Sequence, residues 1–402
     1  MKKGWINIKV IIYAYPPISI GLSPKFVGNE CVIIVPMEMK SFYKEYNQKS
    51  IYYIDKFEYH LIISVIQDLM KNSVIEQFIV LSEPDVEFGG FLNDYFGANE
   101  TGQGLANATL YRNKYIMRSV LNGKVKQPKF SIVDSKESIY RFFQEECKKL
   151  ILKPLSKDSA EGIEYISCGT DINQIGTLAY PYILEESIEH ELMFTTDGIC
   201  VGDEIVAFFI HQYEEPIMKT FERSRRHITR TCFLDLEEHL REELFKCTQT
   251  VINTFNKSRE ILPFHMEWFY DGENIIFCEA ASRFGGKIGT LIQSTYQFDI
   301  FEAYWHMVLE GVITEPVKFD SISRPNKVSF NYSAYLREGE LLEIPKLERS
   351  IRVKVEPGTV YTTSSNIQQN SFEVYQSVSS ELMYKEKVNE LDQLNQKFIF
   401  KK

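Results

Sequence analysis

The stretch "FHMEWFYDGENIIFCEAASRFGG" (264–286) reads as a β-hairpin: apolar and aromatic residues flank a turn at Asp271-Gly272-Glu273-Asn274. Each arm nevertheless carries a carboxylate inside its apolar run, Glu267 on the first and Glu279 on the second. A three-residue loop, 272–274, sets these two opposite each other on one face. Their Cβ atoms are then roughly 5 Å apart, where like charges destabilise a sheet. A hairpin that keeps such a pair shares a proton between them or binds a cation. Mg²⁺ commonly takes one or two carboxylates together with substrate phosphates. A one-residue slip of register would instead send one Glu to solvent, and the hairpin alone does not choose. Arg283, Gly285 and Gly286, which follow directly, favour the cation. A guanidinium beside a metal–phosphate site offers a planar donor fork, and glycines let the backbone turn closely past a ligand.

Working outward, "LILKPLSKDSAEGIEYI" (150–166) places Lys153 at the end of an apolar strand, before a polar loop with Ser156, Ser159 and Gly162. A fixed ammonium below and backbone N–H groups above make a phosphate clamp, although a strand-end lysine is more often simply exposed. The same holds for Lys114, on a helix pattern at 110–123. The Arg-dense "KTFERSRRHITR" (219–230) fits either a site for an anionic group or a solvated connector.

Composition bounds the function classes. The 402 residues are 44% hydrophobic, with 28 Phe and 23 Tyr, enough for a large core and more than one domain. No apolar run reaches a membrane span, and "MKKGWINIKVIIYAYPP" is too short and aromatic for a signal peptide, so it reads as a first core strand. The seven cysteines, at 31, 147, 168, 200, 232, 247 and 278, are scattered without a CxxC pair. That suits reduced thiols in a cytoplasm rather than a disulfide framework or zinc site. A formal charge of −10 excludes a general nucleic-acid footprint.

The chain shows no internal repeat. Strand, helix and strand patterns at 6–13, 59–72 and 75–83 predict a small open α/β domain. "SIVDSKESIYRFFQEE" (131–146) predicts a loop-to-helix passage capped by Ser135, followed by short strands. A hairpin turning at Gly202-Asp203, an amphipathic helix over 235–257 and another near 299–310 complete the middle. The tail, 311–402, leans to strand and ends in a charged helical segment.

Taken in order, Lys114, Lys153-Pro154 with its loop, "ILEESIEHE" (183–191), "HMEWF" (265–269) and "CEAASRFGG" (278–286) resemble the ATP-grasp superfamily over about residues 75–300. The lead-in over 82–118 resembles the passage that opens its nucleotide-binding half. The branch resembled is that of carboxylate–amine ligases, which includes amino-acid and dipeptide ligases and is related to biotin carboxylase. The fold so implied is α/β and α+β. It has an N-terminal open α/β domain (1–112), a first ATP-grasp subdomain with lid and phosphate loop (113–186), a second with the metal site (187–310) and a mixed C-terminal segment (311–402).

The resemblance also implies roles. Lys114 and Lys153 would contact the ATP phosphates, and loop 155–162, with Ser156, Ser159 and Gly162, would close over them. Glu185 would accept from the adenine amino group, Glu186 and Ile188 would line the base, and Glu191 would hold the ribose. Glu267 and Glu279 would hold Mg²⁺, with Mn²⁺ as an alternative, and Arg283 would stabilise charge at the acyl centre. Two departures stand out: Ala281 occupies a position where the family usually has a metal-binding Asn, and "SKDSAEG" (156–162) has a single glycine. The implied reaction joins a carboxylate to an amine, with amino acids as substrates, through an acyl phosphate. A carrier protein or cofactor arm as acceptor, a phosphotransferase and a nucleotide binder without chemistry are the other readings, and a homodimer is consistent with the family.

Overall fold

The computed structural model describes residues 5–98, 101–146, 149–157, 162–167, 169–175, 181–222, 225–231, 238–256, 259–311, 327–364 and 366–401. Ser159 of the phosphate loop lies outside them, as do Arg223 and Ser224 of the Arg-dense stretch.

The chain opens with β1 (Ile6–Ile12), β2 (Cys31–Pro36), β3 (Ile51–Ile54), α1 (Tyr59–Leu69), β4 (Ser73–Ile79) and α2 (Val86–Phe96). The strands form a parallel sheet in the order β3-β2-β1-β4. Helix α1 turns Ile62, Ile66 and Leu69 onto it, the i, i+4, i+7 spacing of an amphipathic helix. Two short helices follow, α3 (Leu105–Leu110) and α4 (Lys114–Leu121). The helical pattern expected to begin at 110 starts at Lys114, because the Asn113 side chain caps the N–H groups of Tyr115 and Ile116.

A small subdomain comes next: β5 (Phe130–Val133), α5 (Lys136–Glu146), β6 (Leu150–Pro154), β7 (Glu164–Ile166), α6 (Gly169–Gln174) and β8 (Tyr182–Glu186). Its antiparallel sheet runs β5-β8-β6-β7 over its own core of Val133, Ile139, Leu150, Leu152 and Leu184. Ser135 caps α5 as expected, its Oγ accepting from the Ser138 N–H at 3.2 Å.

The remaining elements are β9 (Leu192–Val201), β10 (Glu204–Tyr213), α7 (Ile217–Glu222), β11 (Arg226–Thr231), α8 (Glu238–Phe255), β12 (Ile261–Tyr270), β13 (Ile275–Ala281), α9 (Ile288–Tyr296) and α10 (Ile300–Glu310). Beyond these lie β14 (Val328–Tyr335), β15 (Gly339–Glu343), β16 (Arg352–Val353), β17 (Val360–Tyr361), β18 (Asn370–Val378), α11 (Glu381–Gln396) and β19 (Ile399–Lys401). One sheet of eight strands, β13-β12-β9-β10-β11-β14-β18-β16, spans most of them, so strands of the tail extend the same sheet that carries the hairpin. A small sheet, β17-β15-β19, completes the described residues. Helix α8 covers one face of the large sheet with Leu240, Leu244, Val251 and Phe255 against Phe194, Phe264 and Trp268. Helices α9 and α10 cover the other, where Ile288, Ile292 and Trp305 share a core with Ile11 and Ile33 of the first sheet. Burial on both faces is why β10 carries the apolar run over 205–210, while β9 is buried over 193–200 even through its polar centre, Thr195, Thr196 and Asp197.

Where it is described, the Arg-dense stretch is not a solvated connector, and its Lys219, His227 and Thr229 line the protein's large cleft. It forms the end of α7 and the largely buried β11. Arg225 donates to the Leu336 carbonyl at 2.9 Å, and Arg226 to Asp392 of α11 at 2.7 Å. Arg226 thereby fastens the C-terminal helix to the large sheet, and Arg225 holds the end of β14.

Among the described residues, no helix is long and apolar enough to cross a membrane. Gly198, in mid-β9, shows how tightly the sheet is packed: a Cβ there would lie 2.0 Å from the Ala207 carbonyl oxygen and 2.6 Å from Phe264 Cζ. Gly198→Ala is therefore expected to lower stability by about 1–3 kcal/mol, read as a shift of the urea midpoint.

Candidate active site

Glu267 and Glu279 are direct cross-strand partners on β12 and β13. The pairing matches the sequence expectation, but the route to it differs. The loop holds four residues, because Tyr270 pairs with Ile275. A register shift between Glu267 and Trp268 leaves Cys278 unpaired and restores the Glu–Glu pair, as a β-bulge does. The Asp271 carboxylate closes the turn, accepting from the N–H groups of Glu273 (2.9 Å) and Asn274 (2.7 Å).

Both carboxylates line a cleft of about 1670 Å³ between the first sheet, the small subdomain and the large sheet. Lys114, Lys153, Glu185 and Arg283 line it too, as do Glu186, Ile188 and Glu191. Ser156 and Gly162 do not line the cleft. Ile151, Met193 and Phe269 supply an apolar wall near Ile188, with the His190 ring 4.4 Å from that of Phe269.

Behind the lysines lies a buried ionic network that the sequence reading missed. Arg118, 1% exposed, grips Glu185 with two parallel bonds, Nε to Oε1 at 2.9 Å and Nη2 to Oε2 at 3.2 Å. Its guanidinium also donates to the carbonyls of Phe277 (2.9 Å) and Cys278 (2.6 Å) on β13. Lys153 Nζ donates to Glu185 Oε2 at 2.8 Å. Burial works against the Lys153 charge, but Glu185 carries its pKa above the ordinary lysine range. Burial would likewise raise the Glu185 carboxyl, and the two cations bring it down to about 2. Both Glu185 oxygens are thus engaged by cations, and the carboxylate, which lines the cleft, fixes Lys153. The available signal was Arg118's position four residues after Lys114, on the same helix face.

A second network orients Arg283. Its Nε donates to Glu83 Oε2 at 2.6 Å, and Arg112 Nη1 donates to Glu83 Oε1 at 2.9 Å. Burial opposes the Glu83 charge, while Arg283, Arg112 and Lys114 hold its carboxyl at about 2. Lys114 Nζ lies 3.2 Å from Glu279 Oε2 and donates to the Lys157 carbonyl at 2.7 Å. It thereby joins α4, the loop after β6 and the hairpin.

A third network lies beneath Glu267. Tyr213 donates its hydroxyl hydrogen to Glu267 Oε1 at 2.8 Å, and His265 Nδ1 lies 2.6 Å from the buried Asp197. Burial opposes the His265 charge, yet Asp197 and Glu267 carry its pKa up to about 9. Burial also opposes the Glu267 charge, which His265 and Tyr213 hold below the usual carboxylate range. Gly285 is required for a reason other than the one expected. A Cβ there would lie 2.5 Å from His265 Nδ1 and 2.6 Å from Asp197 Oδ1, so the backbone passes closely over this pair. Gly286 has open space around it.

Among the described residues, no three His, Cys, Asp or Glu side chains already converge at metal-ligand geometry. Two paired carboxylates opening on a cleft with two lysines do fit one divalent ion held jointly with phosphates.

No family model and no curated protein matches the sequence. Among solved structures, the chain is similar to an L-amino acid ligase from Bacillus licheniformis, with 15% identity over 98% of both chains and a TM-score of 0.71. It is similar to a carboxyaminoimidazole ribonucleotide synthase from Aspergillus clavatus complexed with ATP, with 10% identity over 98% of this chain and 99% of that one and a TM-score of 0.71. A phosphoribosylglycinamide synthetase from Anaerococcus prevotii matches at 15% identity over 98% and 100%, with a TM-score of 0.66. At such identities the likeness is one of fold, and the chain has the ATP-grasp fold.

The folded pKa values of Glu83 and Glu185 lie below the unfolded carboxylate value of about 4.3. Their stabilisation is therefore complete above that value and is lost as pH falls toward 2. Urea titrations are expected to show stability falling steeply across this window. Glu83→Gln is expected to flatten the slope by removing a share on the order of 3 kcal/mol at most.

Proposed function

We propose that this chain is an ADP-forming carbon–nitrogen ligase that joins a carboxylate to an amine at the expense of ATP. We further propose that both substrates are amino acids, so that the product is a dipeptide. The observation that carries the reading is the cross-strand pair Glu267–Glu279 opening on the same cleft as Lys114 and Lys153. The fold shared with an L-amino acid ligase supports the substrate choice.

In this scheme the base lies against Ile151, Met193 and Phe269, and its edge is read by backbone groups around Glu186 and Ile188. Glu191 takes the ribose. Lys153, fixed by Glu185, and Lys114 bind the phosphates. The substrate carboxylate attacks the γ-phosphorus in line, ADP leaves, and an acyl phosphate results. A divalent ion, when held by Glu267 and Glu279, supplies neutralising charge at the phosphates. The small subdomain over 126–186 excludes water, because an acyl phosphate open to solvent would hydrolyse before an amine arrives. The amine then attacks the acyl carbon, phosphate departs, and the amine loses a proton to give the amide. Arg283, held by Glu83, stands at the cleft to stabilise the oxyanion of that step.

The test is an ADP-release screen with Mg²⁺ over amino acids, singly and in pairs, with mass spectrometry of the products. A carboxylate labelled with ¹⁸O is expected to pass one label into inorganic phosphate. ADP formed without label transfer, or with the phosphoryl group retained on the product, would exclude the ligase. Glu279→Ala and Lys153→Ala are each expected to reduce ADP release at least about 10²-fold, with far-UV circular dichroism unchanged.

A further inference from the structure

His265 stands two residues before Glu267 on β12, so the two side chains share a face of the sheet. It is also the direct cross-strand partner of Ala281. Its Nδ1 donates to Asp197 Oδ1 at 2.6 Å. Asp197 is completely buried, and its other oxygen accepts from the Thr195 hydroxyl at 2.7 Å and from His211 Nδ1 at 2.9 Å. A carboxylate held by three donors cannot turn away, so the imidazole is fixed in both tautomer and orientation. Its Nε2 is left facing Glu267 Oε1, 3.7 Å away, and the ring lines the cleft. Gly285 leaves the room this arrangement needs.

An imidazole pinned through one ring N–H to a buried carboxylate, with its other nitrogen turned to an open site, is the arrangement of a metal-ligating histidine. Orienting Glu267 does not require the imidazole, because the Tyr213 hydroxyl already bonds the same oxygen at 2.8 Å. Two adjacent ligands of one octahedral ion, each about 2.1 Å from it, lie ~3 Å apart. With the imidazole left in place, a small rotation of the Glu267 side chain would close the 3.7 Å between Nε2 and Oε1 to that separation.

We propose that His265 Nε2 is a third protein ligand of the divalent ion, alongside Glu267 and Glu279. This rests on the metal–nucleotide reading above. On binding, Glu279 leaves Lys114 for the ion, and the ring coordinates in its neutral form. Two oxygens and one imidazole nitrogen shift the preference from Mg²⁺ toward Mn²⁺, since nitrogen donors favour the later divalent ions. The ring also fills the side of the site where Ala281 offers no donor.

The test follows Mn²⁺ binding to the full-length protein, with and without ADP, by electron paramagnetic resonance, with pulsed measurements reading nitrogen couplings. Protein labelled with ¹⁵N-histidine separates imidazole from nucleotide nitrogen. The expected result is a directly bound histidine nitrogen. His265→Ala is expected to abolish that signal and to weaken Mn²⁺ binding 10- to 100-fold. The double variant His265→Ala, Ala281→Asn is expected to recover affinity through an amide oxygen while showing no histidine coupling, which also controls for misfolding. Bound Mn²⁺ without histidine coupling, or unchanged affinity in a folded His265→Ala protein, would overturn the ligand assignment and leave the nucleotide–metal reading standing. No Mn²⁺ binding with or without ADP would overturn both.

Discussion

Arg118 is a guanidinium taken wholly out of water, and the cleft is organised around how its charge is met. Desolvating such an ion costs several kcal/mol, recovered only if its donors find well-placed acceptors. Glu185 meets it side by side across two bonds, while the Phe277 carbonyl accepts from Nη1 and the Cys278 carbonyl from Nη2, which also bonds Glu185. One side chain thereby ties helix α4, strand β8 of the small subdomain and the carboxylate-bearing strand β13 at a single point. Lys153 joins through the same Glu185, so a residue that touches no substrate in the proposed scheme sets the height of the lysine that does.

The bulge at Cys278 depends on this junction. A bulged residue lacks a ladder partner and leaves its backbone polar groups to be satisfied elsewhere. The Cys278 carbonyl finds the Arg118 guanidinium. The irregularity that brings Glu279 opposite Glu267 is thus stabilised by the cation that also fixes Lys153. Carboxylates and lysines of one site are coupled through a shared buried arginine rather than placed separately.

Charge alternates throughout the cleft. Glu83 separates Arg283 from Arg112, Lys114 answers Glu279, and His265 lies between Asp197 and Glu267. Such pairing offsets the burial of charge, holding the Glu83 carboxyl below the usual carboxylate range and the His265 ring above the usual imidazole range. A chain of net charge −10 thus still presents Lys114, Lys153 and Arg283 to the cleft: the local balance, not the total, sets the field there.

Much of this was legible in the sequence, because hydrophobic periodicity and turn chemistry are local. Strands β1 and β4 and helix α1 of the first domain, the Ser135 cap, the hairpins and the amphipathic α8 follow from local pattern and residue type, and so does the suspicion raised by two acids in an apolar hairpin, whereas β2 and β3 were not anticipated. The Glu267–Glu279 pairing was anticipated with the wrong loop length, since a bulge shifts register without any mark in the periodicity. What the sequence by itself determined was which segments form strands and helices and which residue types could meet a nucleotide and a metal. Only the tertiary structure decided which charges neutralise one another: Arg118 meets Glu185 across 67 positions and Cys278 across 160. The physical reason is that a buried charge is defined by what surrounds it in space, and no local pattern records a partner brought in from another strand.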